Sequence, residues 1–244
     1  MSEEEIDRSV PEPDNRYTLM QQEYYKEDAA NKCMLKSNHE SHNANPDYWE
    51  VLVAGTGAGW EDRVGMDFGC GTGRNIINLI DRFRRFDGVD ISQGLLDQAR
   101  DRLIEMGYSD DRFRLYCNDG ISLEGIPGNE YDFVMSTITL QHICVYTIRF
   151  NLLKEFLRVL KPGGLLSIQM RFRHSFPDGR RLICYHANHY DAKETNDNCD
   201  VIVTEEKQLA DDLEVLGFRC VTLALYDAWE DDPSYRWIYA NARK

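Results

Sequence analysis

Apolar residues in the middle of the chain follow two alternating patterns, short runs of strand length and longer segments with one apolar face. Residues 92–106 carry apolar side chains at helical spacing, with Ser92 placed to cap the helix and Gly107 to end it. Residues 144–160 predict a further helix, stopped by Pro162. Because strands and helices alternate, the pattern predicts an α/β fold with a doubly wound, mostly parallel sheet and right-handed crossovers.

The two ends of the chain have different patterns. Residues 1–15 are acidic and contain two prolines, so we expect a flexible acidic N-terminus. Residues 17–35 place aromatic side chains and methionines at roughly helical spacing. Near the other end, a helix predicted over 205–216 precedes two apolar stretches, 218–228 and 235–240, which predict a terminal pair of strands.

A glycine-rich turn lies between the first predicted strand and the following helix. Asp67 precedes Gly69, Gly71 and Gly73, which alternate over five positions. Glycines leave no side chain between the backbone and a ligand, so such a turn can lie against a nucleoside at the crevice of an open α/β sheet. In a dinucleotide-binding fingerprint the third glycine would fall one position later, where this chain has Arg74.

The acid and the three glycines resemble motif I of the class I S-adenosylmethionine-dependent methyltransferases. Further segments extend the resemblance over about residues 62–171, because a second strand ends at Asp90 and a third is followed by Asp119. Residues 131–136 resemble the family's fourth strand, and the turn that begins at Lys161 (Lys-Pro-Gly-Gly) resembles its entry into the fifth.

The resemblance implies a Rossmann-like fold, with helices on both faces of a mostly parallel seven-stranded sheet whose last strand is antiparallel. Residues 16–244 are expected to form a single class I methyltransferase domain. Within it, residues 16–55 are expected to act as an N-terminal lid and residues 171–203 as an active-site insertion, since long loops in compact domains tend to be functional.

The resemblance also implies that S-adenosyl-L-methionine is the cofactor and S-adenosyl-L-homocysteine the product. Asp67 would bind the methionine amino group, Asp90 the ribose hydroxyls, Ile91 the adenine ring and Asp119 the adenine amino group. A helix cap or a turn acid is the alternative for Asp67 and Asp119. The residues expected to bind the cofactor are Asp67, Gly69, Gly71, Gly73, Asn75, Asp90, Ile91, Asn118, Asp119, Gly120 and Ser136.

His142 is the candidate catalytic residue. It follows the fourth predicted strand, at the edge where the ligand crevice of such a sheet lies, and an imidazole can remove a proton near neutral pH. The alternative is a structural histidine that orders this loop. A base is required only if the acceptor is a poor nucleophile, because the methyl group of a sulfonium is already activated.

Aromatic side chains and imidazoles in the two regions outside the resemblance are candidates for the acceptor pocket, with ordinary core packing as the alternative. These residues are Tyr24, Trp49, His174, Tyr185 and His186. The spacing of His186 and His189 near Cys184 could suggest a metal site, but such spacing in a polar loop is usually incidental, so no metal is expected.

Charge and composition limit which kinds of binding partner and which location are expected. The chain of 244 residues has 28 Lys and Arg against 42 Asp and Glu, a net charge of −14, which makes nucleic acid an unlikely partner. No apolar run is long enough for a membrane span, and the acidic start lacks the features of a secretory signal, so a cytoplasmic location is expected. The seven cysteines are scattered and predict no disulfide framework. We expect a monomer or a homodimer.

Together these features predict a methyltransferase that acts on an oxygen or nitrogen of a small-molecule acceptor. One alternative is a methyltransferase-like protein that binds a partner without turnover. Another is a protein or RNA methyltransferase, which would need a continuous positive groove beside the crevice.

Overall fold

The computed structural model describes residues 6, 8–9, 16–31, 51–54, 59–173, 182–190, 200–227 and 236–244. Five helices and nine strands lie within these ranges. The helices are α1 (Arg16–Asn31), α2 (Arg74–Leu79), α3 (Gln93–Glu105), α4 (Tyr146–Val159) and α5 (Glu206–Leu216). The strands are β1 (Val64–Phe68), β2 (Arg85–Asp90), β3 (Leu115–Cys117), β4 (Tyr131–Ser136), β5 (Leu160–Phe172), β6 (Leu182–Cys184), β7 (Asp200–Ile202), β8 (Arg219–Asp227) and β9 (Arg236–Arg243).

Seven strands form one sheet in the order β3-β2-β1-β4-β5-β9-β8. Neighbouring strands from β3 to β5 are parallel, whereas β9 runs antiparallel to both β5 and β8. The order reverses between β1 and β4, which is the point where ligands bind in open α/β sheets. The predicted Rossmann-like sheet with an antiparallel last strand is thus confirmed.

The central strands are buried on both faces, as expected for a parallel sheet covered by helices. All residues of β1, β2 and β4 are buried, and two apolar clusters cover the two faces of the sheet. α3 packs through Leu95, Leu96, Ala99 and Leu103, and the backbone N–H of Leu95 donates to Ser92 Oγ. The pattern of residues 92–106 therefore predicted this helix correctly.

Two segments differ from the sequence-based expectation. The helix expected after the glycine turn begins at Arg74, ends at Leu79 and gives way to a 3₁₀ turn at residues 80–82. The expected insertion contains two short parallel strands, β6 and β7. Val203, just after β7, exchanges backbone hydrogen bonds of 3.0 Å with Arg171 and Arg173. Part of the insertion therefore continues the core beside the end of β5.

None of the helices in the described part of the chain has the length and apolar composition needed to cross a lipid bilayer.

Candidate active site

A cavity of about 300 Å³ lies at the carboxyl ends of β1, β2 and β4. The glycine turn and Asp90 form part of its wall, and residues of α1 and of the loop after β4 form the opposite part. The structure therefore places this cavity at the switch point of the sheet, where the topology predicts ligand binding.

The glycine turn brings backbone atoms directly to the cavity. Gly69, Gly71 and Gly73 have φ angles of 74°, 52° and 80°, in the left-handed region that favours glycine. A Cβ on Gly69 would lie only 2.2 Å from the side chain of Thr139, and the Gly69 N–H donates to the Val89 carbonyl at 2.8 Å. Side chains are therefore excluded here by both conformation and space.

Asp90 holds the turn and faces the cavity. One of its carboxylate oxygens accepts from the Gly71 N–H at 2.8 Å and the other from the Ser92 N–H at 3.0 Å. Burial raises the pKa of Asp90 to about 6, against the opposing effect of these backbone donors. Each oxygen has a second lone pair, so the carboxylate can also accept hydrogen bonds from a pair of ribose hydroxyls.

Asp67 is fully buried just below the cavity wall. Asn75 Nδ2 donates to Asp67 Oδ2 at 3.1 Å and to Thr137 Oγ1 at 3.0 Å, which links the acid to two residues that line the cavity. Asp67 Oδ1 has no hydrogen-bond partner among the residues that the structure describes. An unsatisfied buried carboxylate oxygen is costly, and a ligand ammonium group would satisfy it. The site therefore fits the amino group expected at this position.

The ionisation of Asp67 leads to a pH prediction. Burial raises the pKa of Asp67 to about 7, while the bond from Asn75 and the charge of Arg74 lower it. If the ionised acid binds an ammonium group, protonation of Asp67 by itself should lower S-adenosylhomocysteine affinity about tenfold from pH 8 to pH 6, because binding then requires loss of the proton, and Asp90 should add about twofold.

Calorimetry across this pH range measures the effect, and Asp67→Asn is the control. That variant should retain only the roughly twofold change expected from the nearby Asp90, whose pKa is about 6. An equally steep pH dependence in Asp67→Asn would show that another group is responsible.

Helix α1 covers the cavity and is fixed at both ends. The Tyr17 hydroxyl donates to the His142 carbonyl at 3.2 Å and accepts from the Cys144 N–H at 2.7 Å. Towards the other end of the helix, Ser92 Oγ donates to the Tyr25 carbonyl at 3.2 Å. Tyr17 and Tyr25 both line the cavity. The described part of the predicted N-terminal lid therefore spans the cavity between the β2 and β4 sides.

His142 ends a short 3₁₀ turn, Leu140–His142, and lies in the cavity wall between Thr139 and Ile143. Tyr17 holds the backbone of His142 and of Cys144, as described above, and the buried Arg149 guanidinium donates to the Ile143 carbonyl between them. Burial lowers the pKa of Arg149. The structure thus places His142 where a base could contact an acceptor.

Most of the residues expected to bind the cofactor lie at this cavity. Those in its wall are Gly69, Gly71, Asn75, Asp90, Ile91, Asn118 and Gly120. Gly73 lies just behind, as the N-cap of α2. A Cβ on Gly120 would be 2.6 Å from the Ile91 side chain, so these two residues are in close contact.

Two of the expected cofactor residues have structural partners instead. Both oxygens of the exposed Asp119 accept hydrogen bonds from Ile121 and Ser122, and Asp119 does not line the cavity. This is the turn acid that the sequence left as the alternative. The buried Ser136 hydroxyl donates to the Phe68 carbonyl at 3.0 Å and joins β4 to β1, so it points into the sheet and not into the cavity.

The residues expected in the acceptor pocket are not brought together. Tyr24 lies on α1 beside Tyr25 but outside the cavity wall. Tyr185 and His186 pack against Tyr146 near the buried Asp212, also away from the cavity. The structure thus places these three side chains outside the cavity wall. Trp49 and His174 lie outside the described residues.

The cavity wall also includes residues outside the expected site residues. From α1 these are Tyr17 and Tyr25, which belong to the aromatic side chains noted at helical spacing in the sequence, and Thr18 and Gln21; those from other elements include Arg74 and Thr139. The helical spacing of residues 17, 18, 21 and 25 is a signal that could have identified one shared face of α1. No comparable pattern marks Thr139.

Comparisons with known proteins identify a methyltransferase domain in the middle of the chain. A family model for a methyltransferase domain matches residues 66–164. Trans-aconitate 2-methyltransferase of Azoarcus sp. (strain BH72) is 30% identical over 119 residues, covering 48% of this chain and 42% of that protein. A protein of Talaromyces variabilis named S-adenosyl-L-methionine-dependent Diels-Alderase is 30% identical over 120 residues, covering 49% and 38%. The match therefore spans less than half the length of each of these relatives.

A solved structure extends the similarity over nearly the whole fold. The 1,6-didemethyltoxoflavin-N1-methyltransferase of Burkholderia thailandensis, with bound 1,6-didemethyltoxoflavin and S-adenosylhomocysteine, superposes with a TM-score of 0.67 at 18% identity. The alignment covers 98% of this chain and 93% of that one. At this identity the likeness supports the fold alone. Residues 66–164 thus match a methyltransferase domain, and the sheet order and the acid-glycine turn agree with those of the class I S-adenosylmethionine-dependent methyltransferases.

Proposed function

We propose that this protein transfers the methyl group of S-adenosylmethionine to an oxygen or nitrogen of a small-molecule acceptor. The observation that carries the proposal is the cavity at the switch point, bounded by the glycine turn on one side and covered by α1 on the other. A macromolecular acceptor would need an open groove, whereas this cavity is lined on one side by Tyr17 and Tyr25 of the helix α1 that lies over it.

The residues of the chain have distinct roles in this proposal. Asp90 would hold the ribose, and Asp67 the amino group of the methionine part. Bound S-adenosylmethionine supplies an electrophilic methyl group on a sulfonium. The acceptor lone pair forms the new bond to carbon as the carbon–sulfur bond breaks, and that electron pair remains on sulfur. The main task of the protein is then to align the acceptor with this bond and exclude water.

Calorimetry tests donor binding first. The wild-type protein should bind both S-adenosylmethionine and S-adenosylhomocysteine, and binding of neither would reject the proposal. Methyl transfer from radiolabelled donor to a panel of small hydroxyl, carboxyl and amine compounds then tests the acceptor class. Methylation of RNA or protein, with none of the small compounds modified, would contradict it.

Replacement of His142 by alanine tests its role as a base. We expect turnover on a hydroxyl acceptor to fall about tenfold. This loss is at or below the smallest rate effects typical of a general base, because the methyl group of the donor is already activated. The affinity for S-adenosylhomocysteine should change less than about twofold. Parallel losses of turnover and affinity would indicate that His142 orders the loop instead.

The second candidate function is that of a methyltransferase-like protein that binds S-adenosylmethionine without transferring its methyl group. The similarity to a protein named a Diels-Alderase favours keeping this candidate. Tight donor binding with no S-adenosylhomocysteine formed across the acceptor panel would support it over methyl transfer.

A further inference from the structure

Arg149 is a buried cation on α4 whose hydrogen bonds go to the backbone. The residue is 1% exposed, and its guanidinium donates to the carbonyls of Ile143 and Tyr185. Its Cζ atom lies 5.8 Å from the centroid of the Tyr146 ring and 5.4 Å from that of the Tyr185 ring. Taking a guanidinium out of water without a paired anion is costly, so stability alone would favour a neutral side chain here.

The buried acid nearby does not account for this cation. Asp212 accepts hydrogen bonds from Arg8 at 3.2 and 3.3 Å and from the hydroxyls of Tyr146 and Tyr185. Asp212 therefore has a guanidinium of its own, and Arg149 is not required to neutralise it. The distinctive contacts of Arg149 are its hydrogen bonds to the two carbonyls.

Those two carbonyls belong to different parts of the fold. Ile143 lies in the cavity wall next to His142, whereas Tyr185 follows β6 in the expected insertion and lies outside that wall. Residues 144–146 also exchange backbone hydrogen bonds of 3.0 Å with residues 187–189. The guanidinium thus joins the loop that carries His142 to the described part of the insertion.

The backbone of residues 142–144 is held from two helices. Tyr17 on α1 bonds to the His142 carbonyl and the Cys144 N–H, and Arg149 on α4 bonds to the Ile143 carbonyl between them. We infer that Arg149 is a positioning residue, which fixes residues 142–144 against the insertion and so sets where the His142 imidazole lies in the cavity wall. The inference rests on the proposed function, in which His142 contacts the acceptor.

Arginine suits this role because its planar fork donates several hydrogen bonds in fixed directions and keeps its charge when buried. A lysine can donate to a carbonyl, but its single ammonium does not reproduce the fork that reaches two separate segments. The insertion then affects the site through Arg149, although its side chains Tyr185 and His186 do not line the cavity.

A second arginine on the same helix supplies a matched control. Arg158 also donates to two carbonyls of one loop, that of Ile126 at 2.8 Å and that of Leu123 at 3.0 Å. It pairs with Glu155 at 2.7 Å, and its loop does not line the cavity. Arg158→Met therefore removes the same kind of contact at a distance from His142.

The first measurement is nuclear magnetic resonance of protein labelled with ¹³C in its histidine rings and isoleucine methyl groups, with S-adenosylhomocysteine bound. In Arg149→Met we expect the signals of His142 and Ile143 to shift and broaden. The signal of Ile91, which lines the cavity beside Asp90, should keep its position. Arg149→Lys should show smaller changes at the same two residues, and Arg158→Met should show none there.

The second measurement is turnover, on the hydroxyl compound of the panel that reacts fastest with the wild type. Arg149→Met should lower turnover about threefold to tenfold in the wild type and less than about twofold in His142→Ala, because Arg149 acts through His142. The affinity for S-adenosylhomocysteine should change less than about twofold in each case. Equal losses of turnover in the two backgrounds would show that Arg149 only stabilises the fold, and would overturn the inference.

Unchanged signals of His142 and Ile143 in folded Arg149→Met would also overturn it. If circular dichroism shows that this variant does not fold, Arg149→Lys decides by the same signals, and a folded lysine variant with the wild-type spectrum would overturn the inference. Wild-type protein that forms no S-adenosylhomocysteine on any panel compound would reject the proposed function, while the signals would still decide whether Arg149 positions the loop. Methyl transfer with unchanged signals would do the reverse.

Discussion

Replacing Asp90 with alanine is expected to weaken S-adenosylhomocysteine binding by about 1 to 3 kcal/mol, a loss of about 5- to 150-fold. The carboxylate has two tasks, because it accepts from the Gly71 and Ser92 N–H groups and faces the cavity beside Ile91. Its loss would remove charged hydrogen bonds to a bound ribose and also release one side of the glycine turn. Calorimetry measures the change directly.

Two controls separate the tasks of Asp90. Asp97→Ala removes an exposed acid from α3 and should leave affinity unchanged. Asp90→Asn keeps one acceptor for the turn, so it should retain the fold while losing part of the affinity. A 2′-deoxy ligand should bind the wild type more weakly than S-adenosylhomocysteine does, and this difference should shrink in Asp90→Asn. An unchanged difference would contradict the ribose assignment.

Replacing Asp212 with alanine is expected to destabilise the fold by about 3 to 5 kcal/mol. Asp212 on α5 is fully buried and accepts from the hydroxyls of Tyr146 at 2.7 Å and Tyr185 at 3.0 Å. Arg8 also donates to it, at 3.2 and 3.3 Å. Removal of the acid would leave two buried hydroxyls and a guanidinium without their acceptor, and each such loss is costly.

Urea denaturation measures this loss of stability, and the neighbouring residue supplies the control. Asp211 is partly exposed and forms an ion pair with Lys207 one turn earlier, so Asp211→Ala should change the free energy of unfolding by less than about 0.5 kcal/mol. Tyr185→Phe, which removes one donor, should cost about 1 to 2 kcal/mol and leave donor affinity unchanged. Equal effects of Asp211→Ala and Asp212→Ala would disprove the structural role.

The sequence predicted most elements of the fold because their signals are local. Apolar spacing and the Ser92 cap specify α3 within one segment, and the glycines of the turn specify a backbone conformation that other residues rarely adopt. Strands β6 and β7 were missed, since each is three residues long and its partner lies 18 residues away. Strands this short form only when they pair with another strand and are buried, so no local sequence pattern predicts them.

Pairs of neighbouring residues of the same type show most clearly what the local sequence does not predict, namely which side chain faces inward. Tyr25 lines the cavity while Tyr24 does not, and Asp212 is buried while the side chain of Asp211 is 40% exposed. Adjacent residues on a helix point about 100° apart, so the rotation of the helix against the sheet decides which one faces inward. That rotation depends on contacts such as the one between Tyr17 and the loop after β4.

By itself, the sequence determined the glycine turn and the acid at the end of β2, because a tight turn and a strand end are encoded by consecutive residues. Only the tertiary structure decided which side chains face the cavity. It placed Arg74 and Tyr17 there, turned Asp119 and Ser136 to structural partners, and packed Tyr185 against α5. The reason is that these positions depend on packing between elements far apart in the chain, which no local pattern records.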